Sequence, residues 1–395
     1  MITGSPKMVG FQLTSATRLP KCIDQVQDVS LENGGGPAPV RDLSAVYRFN
    51  PLSDDRWDGF LQRHPHASVF HSRAWIEALR RTYGYDPVAF TTCPPGEKLR
   101  NAVLFCRIET WLTGRRLVSL PFSDHCDVLV DTESDWYRIQ AALAEVLRKE
   151  RLRYIELRPI RPFANVNRER QPPVVTHCLH LLDLRPSVES LFDGLHKDST
   201  QRKILRAERE GLTYQEGTSS FLLDAFMRLS LLTRRRHGVL PQPTNWFRNL
   251  IECFRDGLKI RVAYRDRQPV AAILTLRFKD VMVYKYGCSN AQFHNLGGIH
   301  QLLWRSIQEA KQDGLRLFDL GRSDWENPGL ITFKDRWGAE RLDLIYSKIS
   351  PSTAAQPAAS HTPEGWTQQI GRRIVPCMPD AVLRALGTAI YRHFG

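Results

Sequence analysis

The sequence predicts a two-lobed α/β protein with mixed sheets, a helical segment between its halves and a helical tail. Three observations carry that reading. A strand–helix–strand order recurs in the two halves of the chain. Two hexapeptides, Leu152-Arg153-Tyr154-Ile155-Glu156-Leu157 and Leu315-Arg316-Leu317-Phe318-Asp319-Leu320, match in the pattern Leu-Arg-apolar-apolar-acid-Leu, each directly after an amphipathic helix. The 395 residues are also enough for two cores.

The elements follow in order. Residues 1–44 are polar, contain Gly34-Gly35-Gly36-Pro37 and read as a flexible leader. A first domain is expected over 45–172. It has helices at 57–61 and, after Ser72, at 74–81. Apolar strands are expected at 87–92, 102–111, 116–120 and 127–130, then a helix at 136–149 and a strand at 152–157. The second domain, 173–349, opens with a basic helical segment at 187–236. Strands at 259–264 and 270–278 flank the hairpin turn Asp266-Arg267-Gln268, and another strand covers 281–286. A helix at 299–312 carries Ile299, Leu302, Leu303, Ile307 and Ala310 on one face, with Gly314 at its C-terminal cap, before the strand 315–320. A Ser-, Ala- and Pro-rich linker (350–363) leads to an amphipathic tail, 364–395, which either docks on the body or lies on an anionic bilayer.

Composition narrows the functional classes. A formal charge of +13 and a pI near 9.5 favour anionic partners such as tRNA, nucleotide-linked phosphates, CoA-like ligands or an acidic membrane surface. The 8 cysteines are scattered without a CxxC pair, and no His cluster has ligand spacing, which argues against a metal site and for a reducing compartment. No run of 18 apolar residues occurs, so a cytoplasmic protein is expected, associated at most with the inner face of the membrane.

The segment 318–340 is richest in chemistry. Its strand-like start holds Asp319, Gly321-Arg322 follows, Pro328-Gly329 reads as a turn, and Phe333-Lys334 precedes Trp337-Gly338. A fixed ammonium at Lys334 suits stabilisation of the oxyanion formed when an amine attacks an ester or thioester, with Phe333 holding its stem. Asp319 and Asp324 are candidate proton acceptors. Asn295, Gly297 and Gly298 precede a helix and are the candidate donor-binding turn, because free backbone N–H groups there favour phosphate. Arg202, Lys203, Arg206, Arg236, His237, Tyr286, Arg322 and Trp337 are the candidate substrate-binding residues. No GxSxG and no Cys–His context occurs, so direct transfer without a covalent enzyme intermediate is the simpler chemistry.

On the segments SVFHSRAWIEAL (68–79), LVSLPFSD (117–124), RKILRAEREGL (202–212), TRRRHG (233–238) and GLITFKDRWGAE (329–340), the chain resembles the Fem-type aminoacyltransferases and the related GNAT-like acyltransferases of bacterial polysaccharide loci. The resemblance spans roughly residues 45–348. It implies tandem GNAT-like (acyl-CoA N-acyltransferase-like) domains with a helical insertion. It also implies transfer of an acyl or aminoacyl group to an amine of a cell-wall or exopolysaccharide precursor, with Phe333-Lys334 assisting at the reacting carbonyl. The usual GNAT pyrophosphate loop is replaced by His294-Asn295-Leu296-Gly297-Gly298-Ile299, and a long coiled-coil arm for tRNA has no counterpart. Acyl-CoA and aminoacyl-tRNA therefore both stay open as donor, with no tightly bound cofactor expected. The partners expected are an anionic or lipid-linked glycan substrate, with tRNA and a membrane contact through the tail as further candidates. The competing readings are an acetyl-CoA-dependent amino-sugar acetyltransferase and a non-catalytic scaffold that binds a glycan or lipid carrier.

Overall fold

The computed structural model describes residues 45–161, 177–351 and 374–393. The leader and linker expected from sequence, and the start of the tail, lie outside them. The first lobe runs β1 (Tyr47–Phe49), α1 (Arg56–Arg63), α2 (Arg73–Tyr83), β2 (Asp86–Thr91), β3 (Val103–Thr110), β4 (Gly114–Val118), α3 (Glu133–Lys149) and β5 (Tyr154–Leu157). Ser72 caps α2 by accepting from the Trp75 N–H, and Gly84 ends it in the left-handed conformation. The expected strand at 127–130 does not form; only Leu129 bridges, to Ala102. Its apolar alternation instead buries Val128 and Val130 in the cluster around α3.

The second lobe comprises β6 (His177–Asp183), α4 (Val188–Asp193), α5 (Arg202–Arg209), β7 (Thr213–Gly217), α6 (Ser220–His237), α7 (Thr244–Phe254), β8 (Leu258–Arg265), β9 (Gln268–Phe278), β10 (Val281–Ser289), α8 (Gly298–Gln312), β11 (Leu317–Asp324), α9 (Pro328–Asp335) and β12 (Glu340–Leu344). Among the described residues the sheet orders are β1-β2-β3-β4-β5-β13 and β12-β6-β11-β10-β9-β8-β7, where β13 is Ser347–Ile349. The chain thus returns after β12: β13, at the end of the expected second domain, pairs with β5 in the first sheet, a strand the sequence reading did not foresee. The expected Pro328-Gly329 turn is instead the first turn of α9. Asn327 caps it by accepting from the Leu330 N–H, and Pro328 takes the first helical position, where no N–H is needed.

In each lobe one helix links two parallel strands, α3 between β4 and β5 and α8 between β10 and β11. Parallel pairing ends at Val118↔Glu156 in one lobe and Val283↔Asp319 in the other. The acids of the two matching hexapeptides therefore stand at equivalent places, where paired strands begin to part.

One apolar core runs through both lobes, from Trp57 and Trp75 to Phe226, Trp246 and Val283. At its centre Trp75 of α2 meets Trp246 of α7 edge-to-face at 5.2 Å. The tail helix α10 (Asp380–Tyr391) docks on the body: Leu383 is buried, Arg235 pairs with Asp380 at 2.6 Å, and the Tyr391 hydroxyl donates to the Leu240 carbonyl at 3.0 Å. Gly387 permits this close approach, since a Cβ there would lie 2.1 Å from the Pro241 carbonyl oxygen. Gly387→Ala is therefore expected to destabilise the protein by about 1–3 kcal/mol through overpacking, despite the roughly 1 kcal/mol gain in helix propensity. Limited proteolysis and thermal melting check this, with new cleavage expected beside α10.

Candidate active site between the lobes

The site starts from a strand that loses its ladder. β10 and β11 part beyond Val283↔Asp319, and each is irregular there. β10 shifts register against β9 between Tyr284 and Tyr286, and β11 shifts against β6 between Asp319 and Arg322. Bulges of this kind free backbone groups that must find other partners when buried. Lys334, on α9, supplies them: its Nζ donates to the Gly321 carbonyl at 2.8 Å and the Arg322 carbonyl at 2.7 Å. Lys334 is only 3% exposed, and burial, partly offset by Asp124 and Asp319, pulls its pKa down to about 8. Its neighbour Asp335 pairs elsewhere, with His180 at 3.0 Å and Arg341 at 3.5 Å.

A loop of the first lobe closes on the parted strands. Residues 119–125 hold two non-glycine residues in the left-handed region, Leu120 at φ 59 and Phe122 at φ 60. Such strain persists only where surroundings enforce it. Here Arg158 donates to the Leu120 carbonyl at 3.0 Å, the Ser123 hydroxyl donates to the same carbonyl at 2.7 Å, and Arg158 is held by Glu156 at 2.8 Å. The loop delivers Asp124 and His125 to the second lobe. Lys285 Nζ lies 2.8 Å from Asp124 Oδ1, and His125 Nε2 lies 3.0 Å from Asp319 Oδ2. Asp319 Oδ1 accepts the Gly321 N–H at 2.7 Å, so both its oxygens are engaged. Gly321, at φ 76, is required by proximity as well: a Cβ would lie 3.2 Å from Asp124 Oδ2.

Burial would raise the Asp124 pKa, but Lys285, then Arg322 and Lys334, hold it below the ordinary carboxylate range. Burial likewise favours neutral His125, yet its hydrogen bond to Asp319 and that carboxylate's charge leave it raised. Desolvation lowers the Lys285 pKa, offset in part by Asp124. The Lys285 ammonium sits in a ring of aromatics, 5.2 Å from the Phe70 centroid, 5.6 Å from Trp75 and 5.5 Å from Tyr286. Arg322 donates to the Tyr346 hydroxyl at 3.0 Å, and that hydroxyl donates to the Asp124 carbonyl at 2.7 Å. Asp324 pairs with His177 at 2.7 Å.

The other face of α9 borders a cavity of about 450 Å³, lined by Ser199, Lys203, His300, Pro328, Gly329, Thr332, Phe333 and Arg336. Burial, then Lys203 and Arg336, depress the His300 pKa to about 3, so the imidazole is neutral beside two cations. With the N-terminus of α8 adjoining it, this hollow favours an anion.

The structure thus groups the sequence candidates. Phe333 and Lys203 line the cavity, while Asp319, Arg322 and Lys334 meet between the lobes, with Tyr286 beside Lys285. The others lie apart. Arg202 and Asn295 are exposed, and Arg206 pairs with Glu210 at 3.4 Å. Arg236 donates to the Ser289 carbonyl at 3.3 Å at the end of α6, next to His237. Trp337 is wholly buried in the core of the second lobe, stacked on His300, and offers no binding surface. Gly297 and Gly298 serve packing: Cβ atoms there would lie 2.3 Å from the Lys203 carbonyl oxygen and 2.9 Å from Ala271 Cβ. Sequence reasoning missed Asp124, His125, Lys285 and Tyr346. The motif ending at Asp124 was the one available signal, since nothing local marks the partners of a residue that folds across 161 positions to Lys285.

The comparisons with known proteins bear on this geometry. The acetyltransferase (GNAT) domain family profile matches residues 196–334, the segment that carries the parted strands and Lys334. The crystal structure of FemX superposes with a TM-score of 0.60 at 13% identity, covering 77% of this chain and 96% of that one. Over residues 196–334 the chain is thus similar to the GNAT domain, and its overall fold is similar to that of FemX. Over 159 residues it is 27% identical to the UDP-N-acetylmuramoylpentapeptide-lysine N(6)-alanyltransferase of Weissella viridescens, a match over 39% of this chain and 47% of that relative. It thus aligns with about half the length of that curated relative. A tandem GNAT protein from the clavulanic acid biosynthesis pathway is 12% identical with a TM-score of 0.49, covering 79% of this chain and 99% of that one. The two-lobed α/β architecture expected from sequence is what the structure displays, with one sheet in each lobe and a fold similar to that of FemX. Among the described residues, no helix is long and apolar enough to cross a membrane.

Asp319→Asn tests the junction between lobes. A raised His125 pKa stabilises the fold fully below the unfolded value of about 6.5, and that contribution is lost as pH rises through the folded value. The stability deficit of the variant, about 1–3 kcal/mol for a charge-assisted buried hydrogen bond, is therefore expected to be larger at pH 6 than at pH 9 in urea titrations.

Proposed function

We propose that the protein transfers an acyl or aminoacyl group directly to an amine of a cell-wall peptide precursor. The observation that carries this reading is the buried Lys334 ammonium beside the parted strands β10 and β11, backed by an anion-favouring cavity on the opposite face of its helix. The match to a lysine N(6)-alanyltransferase supports the amine acceptor and the wall precursor. In the reaction, the neutral acceptor amine adds to the donor carbonyl. The carbon–oxygen or carbon–sulfur bond of the donor then breaks, and the proton lost by nitrogen balances the one gained by the departing hydroxyl or thiol. Two of the three Lys334 N–H groups hold backbone carbonyls, leaving one for the developing oxyanion. Asp319 positions Gly321 and His125, Phe333 walls the cavity, and Lys203 with Arg336 meets the anionic part of the donor.

The donor is tested by incubating the protein with UDP-N-acetylmuramoyl-pentapeptide and either alanyl-tRNA or acetyl-CoA, then weighing the product by mass spectrometry. Transfer from the charged tRNA is the expected result. Transfer from acetyl-CoA alone would fit the acetyltransferase family match instead, and transfer from neither overturns the reading.

The role of Lys334 has its own test in the pH profile. An ammonium that stabilises an oxyanion is active only when protonated, so kcat should fall as pH rises through about 8. Lys334→Arg, whose charge does not titrate, should lose that limb. Lys334→Met should lower kcat by about 10²–10³-fold with little change in KM. A wild-type rate that rises through pH 8, with the rise abolished in Lys334→Arg, would show a neutral Lys334 amine acting as base and would refute the electrostatic role.

A further inference from the structure

The hairpin between β3 and β4 carries a feature the transfer chemistry does not use. Its three-residue tip, Trp111-Leu112-Thr113, is closed by the Thr110↔Gly114 pair, with Gly114 at φ 75 supplying the left-handed position such loops need. The tip is tied down. The Thr110 and Thr113 hydroxyls lie 2.7 Å apart, and the Thr113 N–H donates to Thr110 Oγ1 at 3.1 Å. Thr113 Oγ1 donates to the His393 carbonyl at 3.2 Å, and Arg116 donates to that carbonyl at 2.8 Å. Despite this order, Trp111 is 87% exposed and Leu112 51% exposed. A rigid turn therefore holds two large apolar side chains in water.

The surroundings are basic and uncharged by turns. Arg115 follows the tip, Arg153 donates its N–H to the Arg115 carbonyl at 2.8 Å, and exposed Arg392 precedes His393, whose ring meets Trp111 edge-on at 5.7 Å. Glu109 offsets Arg115 at 2.7 Å. Beyond Asp380, which pairs with Arg235, the exposed residues of α10 are Ala381, Val382, Ala385, Thr388 and Ala389, and these carry no charge.

We infer that this tip is an interfacial anchor for an anionic lipid bilayer, with Trp111 and Leu112 entering the headgroup–acyl boundary and Arg115, Arg153 and Arg392 meeting lipid phosphates. Two side chains are far too little for a stable protein–protein interface, which buries about 800 Å² per partner. A Trp and an aliphatic residue ringed by arginines match the polarity gradient of a membrane surface. The anchor moves the membrane contact from the tail's apolar face, which is docked on the body, to the hairpin beside it.

Co-sedimentation of the full chain with phosphatidylglycerol-containing vesicles tests this without reference to catalysis. The expected result is binding that weakens with salt and is largely absent with pure phosphatidylcholine. The double variant Trp111→Ala/Leu112→Ser should bind at least roughly tenfold more weakly, with unchanged circular dichroism and melting temperature. Arg115→Gln/Arg153→Gln should lower binding and flatten its salt dependence. Absence of binding to anionic vesicles, or binding unaffected by the tip variant, overturns the inference. So does a change in solution mass with that variant, which would show a second copy of the chain covering the tip.

Discussion

The arrangement of the two lobes rests on two crossed ion pairs, Asp124 with Lys285 and His125 with Asp319. Each pair takes one member from the first-lobe loop and one from the parted strands of the second lobe. Buried charges are costly unless partnered, so neither lobe can carry its half of this set alone without a large penalty. The apolar core that runs from Trp75 to Trp246 supplies the general adhesion. The charges set the register, because apolar surfaces tolerate small slides and hydrogen-bonded ion pairs do not.

That constraint explains the strain in the 119–125 loop. In lobe one, Glu156 stands where β4 and β5 part, and it fastens Arg158, which grips the carbonyls of Leu120 and Ser123. In lobe two, its counterpart Asp319 stands at the equivalent parting and receives the tip of the same loop. The matching acids of the repeated hexapeptide therefore divide one task, one bracing the loop and the other catching it. The parting in lobe one is spanned by the protein's own Ser119 and Arg158, whereas that in lobe two is met by the Lys334 ammonium.

Much of the fold was legible in the letters because it is local. The helix start after Ser72, the Gly314 stop, the hairpin at Asp266-Arg267 and the stripe on α8 are all decided within a few residues. The return of β13 to the first sheet was not legible, since three residues of alternating pattern fit either sheet equally well. Reading Pro328-Gly329 as a turn weighed the dipeptide over Asn327, whose cap makes Pro328 a helix start. For the site, Lys334, Asp319 and Phe333 were legible from their clustering in one segment. Asp124, His125 and Lys285 were not, because their meaning is their pairing, and pairing between lobes leaves no trace in either local sequence. Trp337 misled for a related reason: an aromatic in a glycine-flanked segment looks exposed until the helix that buries it is recognised.

Recognising α9 as a helix also changes what the Phe333-Lys334 pair can do. Neighbours on a helix point about 100° apart, so adjacent residues serve different surroundings, whereas on a flat turn both face one hollow. Phe333 faces the cavity with its cationic rim, and Lys334 faces the carbonyls that the β11 bulge releases. In the proposed reaction these are two ends of one donor: its anionic portion lies on the Phe333 side and its reacting carbonyl on the Lys334 side. The bulge then matters to the charge itself, since the carbonyls it exposes hold the ammonium in place while burial lowers its pKa. An ammonium held by two neutral carbonyls keeps its whole charge for the third contact, which a carboxylate partner in the same position would have cancelled.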